Sequence, residues 1–212
     1  MSAEPRLLAY GDRAVLVELE DTPAVVAWAD ALQEAALDGV ADVIPAATTV
    51  LVVSEPDADL STLRTSLARV FVDPASASGS VDRQPIEIEV HYDGPDIDEV
   101  CTLTGLDRAG VVEAHTGSPW RVAFGGFAPG FAYLVGGDER LRVPRRDEAR
   151  TKVPAGAVGL AGEFSGVYPR ASPGGWQLIG TTDQVLWDLE RDPPALLEAG
   201  AVVRFVDAGA RS

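Results

Sequence analysis

The chain has 212 residues, 46% of them apolar and 24% charged, and carries a net charge of −16. So acidic a surface repels a phosphate backbone and excludes nucleic acid as a partner. No apolar run nears the roughly 20 residues that span a bilayer, which excludes a helical membrane protein, and the single cysteine, Cys101, excludes an intrachain disulfide framework and a CxxC metal site.

The N-terminal Met-Ser-Ala-Glu-Pro shows no basic-then-apolar signal, so a cytoplasmic protein is expected. Strands are expected at Arg6 to Tyr10 and Arg13 to Leu19 around a Gly11-Asp12 turn. Pro23 opens a helix to about Leu37, with Val25, Trp28, Ala29, Leu32 and Ala36 on one face. Asp42 to Ala46 and Thr49 to Val53 pattern as a hairpin, and Asp57 to Val72 as a second helix. The Pro/Ser/Ala/Gly-rich stretch 73–80 is a linker. Ile86, Ile88 and Val90 alternate with Glu87 and Glu89 in a further strand. The order strand, helix, two strands, helix, strand predicts a ferredoxin-like α+β domain over residues 1–82.

Residues 83–212 form the second expected domain. Two short helices, 96–104 and 107–116, come first. Asp107 is placed to cap the second, and Gly117 and Pro119 to stop it. Asp96, Asp98, Glu99 and Glu113 make the pair too acidic for a DNA-binding helix-turn-helix. His115, near the helix C-terminus, is expected as a protonated cap on the helix dipole, and His91 as a structural strand residue. From Trp120 the pattern is all-β, with strands at 120–125, 157–162, 176–180, 184–189 and 201–206. Short strands with Gly/Pro corners predict a small closed or nearly closed barrel.

Residues 121–180 stand apart. They hold 12 of the 21 glycines and the chain's only lysine, Lys152, and carry eight basic against five acidic residues in an otherwise acidic protein. Glycines there imply tight backbone geometry, and cations on such a backbone suit an anionic ligand or an acidic neighbour. Gly156, Gly159 and Gly162 recur every third residue, a pattern for close approach of another backbone, subunit or ligand. There is no Walker A loop, no HExxH and no GxSxG.

Three blocks carry a more specific signal: Phe124-Gly-Gly-Phe-Ala-Pro-Gly-Phe-Ala-Tyr133; Val143-Pro-Arg-Arg146 followed by Arg150-Thr-Lys-Val-Pro-Ala-Gly156; and Gly166-Val-Tyr-Pro169 leading into Ser172-Pro-Gly-Gly-Trp-Gln-Leu-Ile-Gly180. Together with Tyr10-Gly-Asp-Arg-Ala14 and Val203-Arg-Phe-Val206, they resemble the family known as allophanate hydrolase subunit 1, KipI or PxpB, the last being the B subunit of 5-oxoprolinase. They are also similar to one half of the carboxyltransferase region of urea carboxylase. Ala149, Ala157 and Thr181 depart from the family's usual proline, serine and arginine.

The resemblance implies a cyclophilin-like β-barrel after the smaller α+β domain. It implies two partners, a C subunit with a related barrel and an A subunit. It further implies an ATP-dependent opening of the 5-oxoproline lactam to L-glutamate, with this chain inactive alone. ATP, with or without Mg2+, would be a co-substrate, and no tightly bound cofactor is expected. Two other readings stay open: a KipI-like inhibitor of a sensor histidine kinase, and part of an allophanate hydrolase that cleaves a urea-derived amide. A lactam is a poor electrophile, and phosphorylating its oxygen makes a leaving group that cations must hold. Lys152, Arg145 and Tyr168 are accordingly the candidate catalytic residues. The candidate substrate- or phosphate-binding residues are Gly126, Phe127, Pro129, Gly130, Tyr133, Arg146, Arg150, Gly156, Ser172, Gly174 and Gly175. Trp176 is expected as a pocket wall, and no metal ligand is expected.

Overall fold

The computed structural model describes residues 5–70, 72 and 84–211. The linker expected at 73–80 lies outside the described residues. The chain divides into two compact units, Met1–Asp82 and Arg83–Ser212.

In the first unit, strands β1 (Arg6–Tyr10), β2 (Ala14–Glu18), β3 (Val40–Pro45) and β4 (Thr49–Ser54) form an antiparallel sheet in the order β1-β2-β4-β3. Helix α1 (Thr22–Ala35) is capped by Asp21, whose carboxylate accepts the Ala24 N–H. Helix α2 (Leu60–Leu67) is capped by Asp59, which accepts the N–H groups of Ser61 and Thr62. That cap starts α2 three residues later than the apolar pattern suggests. Trp28 and Leu32 of α1 and Leu63 and Leu67 of α2 pack on Val15, Val17, Val50 and Val52 of the sheet. The expected ferredoxin-like order is not found. Two strands precede α1, as their pattern predicts, but they pair with each other at one side of the sheet, and the strand at 86–90 belongs to the second unit.

That strand, β5 (Ile86–Val90), runs parallel to β13 (Val202–Asp207), with Ile86 opposite Val203. It belongs to a seven-stranded sheet of order β12-β9-β10-β7-β6-β13-β5. The other members are β6 (Trp120–Gly125), β7 (Ala132–Val135), β9 (Ala157–Ala161), β10 (Phe164–Val167) and β12 (Gln177–Thr181). Just past β5, His91 exchanges two backbone hydrogen bonds of 2.8 Å with Thr181 at the end of β12. The two edges of the sheet thus meet, and the result is a nearly closed barrel. A separate ribbon pairs β8 (Arg150–Val153) with β11 (Ser172–Gly174). The expected strand at 184–189 is absent. Val185, Trp187 and Leu189 alternate as a strand would, but they are exposed, and the segment makes only a single bridge, Trp187 to Ala195.

Side chains alternate between the two faces of the barrel wall, as the pleat requires. Val158, Leu160, Val167 and Ile179 face one core with Ile88, Leu134 and Phe205, which helices α3 (Ile97–Thr104) and α4 (Arg108–Thr116) share through Val100 and Val111. Ala157, Ala161, Tyr168 and Leu178 face a second cluster with Phe131, Val153 and Trp176. Strand β9 is therefore buried on both sides.

His115 is not the solvated cap expected from its place on α4. It is fully buried and stacked on Phe205 at a centroid distance of 4.2 Å. Its Nδ1 lies 2.8 Å from the Tyr92 hydroxyl and its Nε2 2.9 Å from Ser165 Oγ. Burial pushes its pKa down to about 3, so the ring is neutral at physiological pH.

Candidate functional site

The second cluster does not close over completely. Between the turn at 126–130, the loop at 143–146 and the sheet lies a cleft of about 440 Å³. Its walls are aromatic: Phe127, Phe131, Tyr133, Phe164, Tyr168 and Trp176. The rings meet mostly edge to face, the favourable quadrupole geometry, with Phe131 against Trp176 at 5.4 Å and Tyr133 against Phe164 at 5.5 Å. These contacts hold the walls rigid without filling the space between them.

Glycines shape the site. A Cβ on Gly174 would run into the Tyr168 hydroxyl. One on Gly166 would press on the Ala132 carbonyl and the rings of Trp176 and Phe131. In the 126–130 turn Phe127 is itself left-handed, at φ +64°, an uncommon conformation for a residue with a side chain. It presents a ring 57% exposed at the cleft mouth. Within the turn the Gly126 N–H bonds to the Phe131 carbonyl and the Ala128 N–H to that of Gly126.

The four cations of the 145–152 block take three different roles. Arg145 lines the cleft and is exposed there, with neither hydrogen bond nor ion pair among the described residues. Its charge is felt by both cleft tyrosines. Burial raises the pKa of Tyr133 and Tyr168, against the pull of Arg145, and in Tyr168 also of the Trp176 backbone hydrogen bond. Arg146 and Arg150, by contrast, both donate to Oδ1 of Asp96, at 2.8 and 2.6 Å. Asp96 is 4% exposed, and its Oδ2 accepts the Leu178 N–H at 2.7 Å. Lys152 is exposed on β8 and does not line the cleft.

Of the residues expected at the site, the structure brings Arg145, Tyr168, Phe127 and Tyr133 together around the cleft, with Gly126 against the Tyr133 ring. Gly174 and Gly175 border it through Tyr168 and the Arg145 guanidinium. Pro129 is an exposed turn residue, and Gly130 packs on Trp187. Gly156 lies away from the cleft: its N–H bonds to the Tyr168 carbonyl, its own carbonyl accepts the Thr182 N–H, and a Cβ would strike the Thr182 carbonyl. The close approach that Gly156 and Gly159 permit is thus within the chain itself. Among the described residues the Ser172 hydroxyl makes only a long bond, 3.4 Å, to the Arg170 carbonyl. Residue spacing carries no sign of Asp96 as a partner of the arginines, which are 50 and 54 residues away. Phe164 is equally silent in sequence, lying in a Gly-flanked strand too short to show a period. Among the described residues, no group of three or more His, Cys, Asp or Glu side chains could hold a metal ion. No helix among them is long and apolar enough to cross a membrane.

Residues 5–197 match the family described as carboxyltransferase domain, subdomain C and D. The chain is 38% identical to the B subunit of 5-oxoprolinase from Escherichia coli O157:H7 over 208 residues, 95% of each chain. It is 45% identical to that of Bacillus subtilis (strain 168) over 129 residues, 59% of this chain and 54% of the relative, so in that match it spans about half of the relative's length. Among solved structures, TTHA0988 superposes with a TM-score of 0.74 at 33% identity, over 93% of this chain and 40% of that one. The Kluyveromyces lactis urea carboxylase superposes with a TM-score of 0.64 at 17% identity, over 98% of this chain and 22% of that one, a likeness of fold alone.

Proposed function

The chain belongs to the carboxyltransferase subdomain C and D family, and from that premise we propose that it is the B subunit of an ATP-dependent 5-oxoprolinase. The carrying observation is the cleft, an aromatic slot with one guanidinium, Arg145, at its rim that is unpaired among the described residues. A small ring bearing one carboxylate matches both features. Its faces pack on Phe131, Tyr168 and Trp176, and its carboxylate takes a bidentate bond from Arg145. 5-Oxoproline is such a molecule.

In this reading Arg145 and Tyr168 touch substrate, and Lys152 is released from the catalytic role to a contact with a partner protein. A triphosphate needs several cations or a backbone nest, and the cleft offers one guanidinium. The nucleotide is therefore bound by a partner, and the C and A subunits of the enzyme are the expected partners. Lactam activation takes place where the cleft meets them, in the cytoplasm where ATP is supplied.

The test is reconstitution. The chain with its partners should release glutamate from 5-oxoproline only when ATP is present, and none of the proteins should do so by itself. Arg145→Ala should raise the KM for 5-oxoproline by about tenfold or more, the loss of a charge-assisted bidentate contact. A KM within twofold of the parent would remove Arg145 from the substrate site.

A further inference from the structure

Arg145 is the charged group on which the cleft depends, yet nothing among the described residues bonds to its side chain. Its position is inherited from its neighbours. On one side the Arg146 N–H bonds to the Gly175 carbonyl at 2.8 Å, and the Arg146 side chain reaches Asp96. On the other, Arg150 reaches the same Asp96 oxygen. Asp96 is in turn anchored to β12, beside the cleft wall residue Trp176. Its carboxylate accepts the Leu178 N–H at 2.7 Å, and its own N–H donates to the Leu178 carbonyl at 3.0 Å. One buried carboxylate thus ties both ends of the 146–150 segment to the strand that follows directly on the cleft wall residue Trp176. A buried charge paired on this scale is costly to disturb.

We propose that Asp96 is a positioning residue for anion recognition: by clamping Arg146 and Arg150 against β12 it holds the loop that aims Arg145 into the cleft. The inference rests on the reading of the cleft as a ligand site, and not on the identity of the reaction. Without the clamp, the aromatic walls keep their mutual contacts while the guanidinium loses its fixed aim. Affinity for the ring therefore survives, and the preference for a negatively charged ring collapses.

The probes are furan-2-carboxylate and its neutral twin furan-2-carboxamide, titrated into the intact chain and followed by NMR shifts of the cleft aromatics. Wild type should bind the carboxylate about tenfold tighter than the amide, as a charge-assisted bond predicts. Arg145→Gln should bring that ratio to about one, and Asp96→Asn should do the same with amide affinity held within about twofold. The double variant should lose no more than either single one, because the two residues act through one contact. Asp96→Glu, which keeps the charge, should recover part of the ratio, and it serves as the test if Asp96→Asn does not fold. A wild-type ratio near one, or no binding of either probe, overturns the proposal together with the cleft reading. A ratio abolished by Arg145→Gln but kept by Asp96→Asn overturns the positioning role alone. Tighter carboxylate binding by Asp96→Asn also overturns it, since the released arginines would then be anion ligands themselves. If Asp96→Asn does not fold, an Asp96→Glu ratio near one with amide affinity also lost overturns it.

Discussion

Lowering the pH from 7 to 4.5 should weaken the barrel through one residue, His115. In the folded chain its ring is buried against Phe205, with both nitrogens facing the hydroxyls of Tyr92 and Ser165, and its pKa lies at about 3. Unfolded, it titrates near 6.5. The folded state thus binds a proton less readily than the unfolded one. Its contribution is complete above about pH 6.5 and is lost as the pH falls from there toward about 3. Each unit costs up to about 1.4 kcal/mol, so the two units from 6.5 to 4.5 cost about 3 kcal/mol. That is a large part of the roughly 5–15 kcal/mol that holds a typical domain folded. The assay is urea unfolding at pH 7 and 4.5, followed by tryptophan fluorescence, on wild type and His115→Gln. The variant should be less stable at pH 7 by about 1–3 kcal/mol, from lost ring stacking and hydrogen bonding. It should lose about 3 kcal/mol less than wild type on acidification. Equal losses in the two proteins would refute the argument.

Two further changes test the architecture around the site and in the first unit. Gly174→Ala places a Cβ against the Tyr168 hydroxyl; overpacking of this kind costs about 1–3 kcal/mol, so thermal unfolding should shift down and furan-2-carboxylate binding should weaken with it. Asp59→Ala removes the α2 cap. Hydrogen bonds from Thr62 and Ser61 lower the Asp59 pKa from 3.8 to about 2, so this stabilisation is present above pH 3.8 and lost as the pH falls toward 2. Wild type and variant should therefore differ in urea midpoint at about pH 6 and converge in strong acid, a comparison that circular dichroism can follow.

The elements are legible in the sequence where a local period exists. The face of Val25, Trp28, Ala29 and Leu32 marks α1 within two residues of its ends, and Asp107 marks the start of α4. Strand β5 is legible as a strand but not in its pairing, because alternation says which face is buried and nothing about which neighbour supplies the ladder. Strands β7, β8, β10 and β11, of three or four residues each, are too short to show a period. At the site the concentration of glycine and arginine points to the right stretch of chain. It does not separate Arg145 from Arg146 and Arg150, since what divides them is Asp96 at the mouth of a distant helix. Nor does residue type reveal that the His115 ring turns inward to two hydroxyls rather than outward to water.

The pairing of Ile86 with Val203 governs how this protein can be made. The earliest strand of the second unit waits for the latest, so during translation it stays unpartnered on that flank until nearly the whole unit has left the ribosome. Contacts so far apart in the chain slow folding. A product cut short before β13 would expose β5 and the neighbouring edge of β6 together, two open ladders able to recruit other chains.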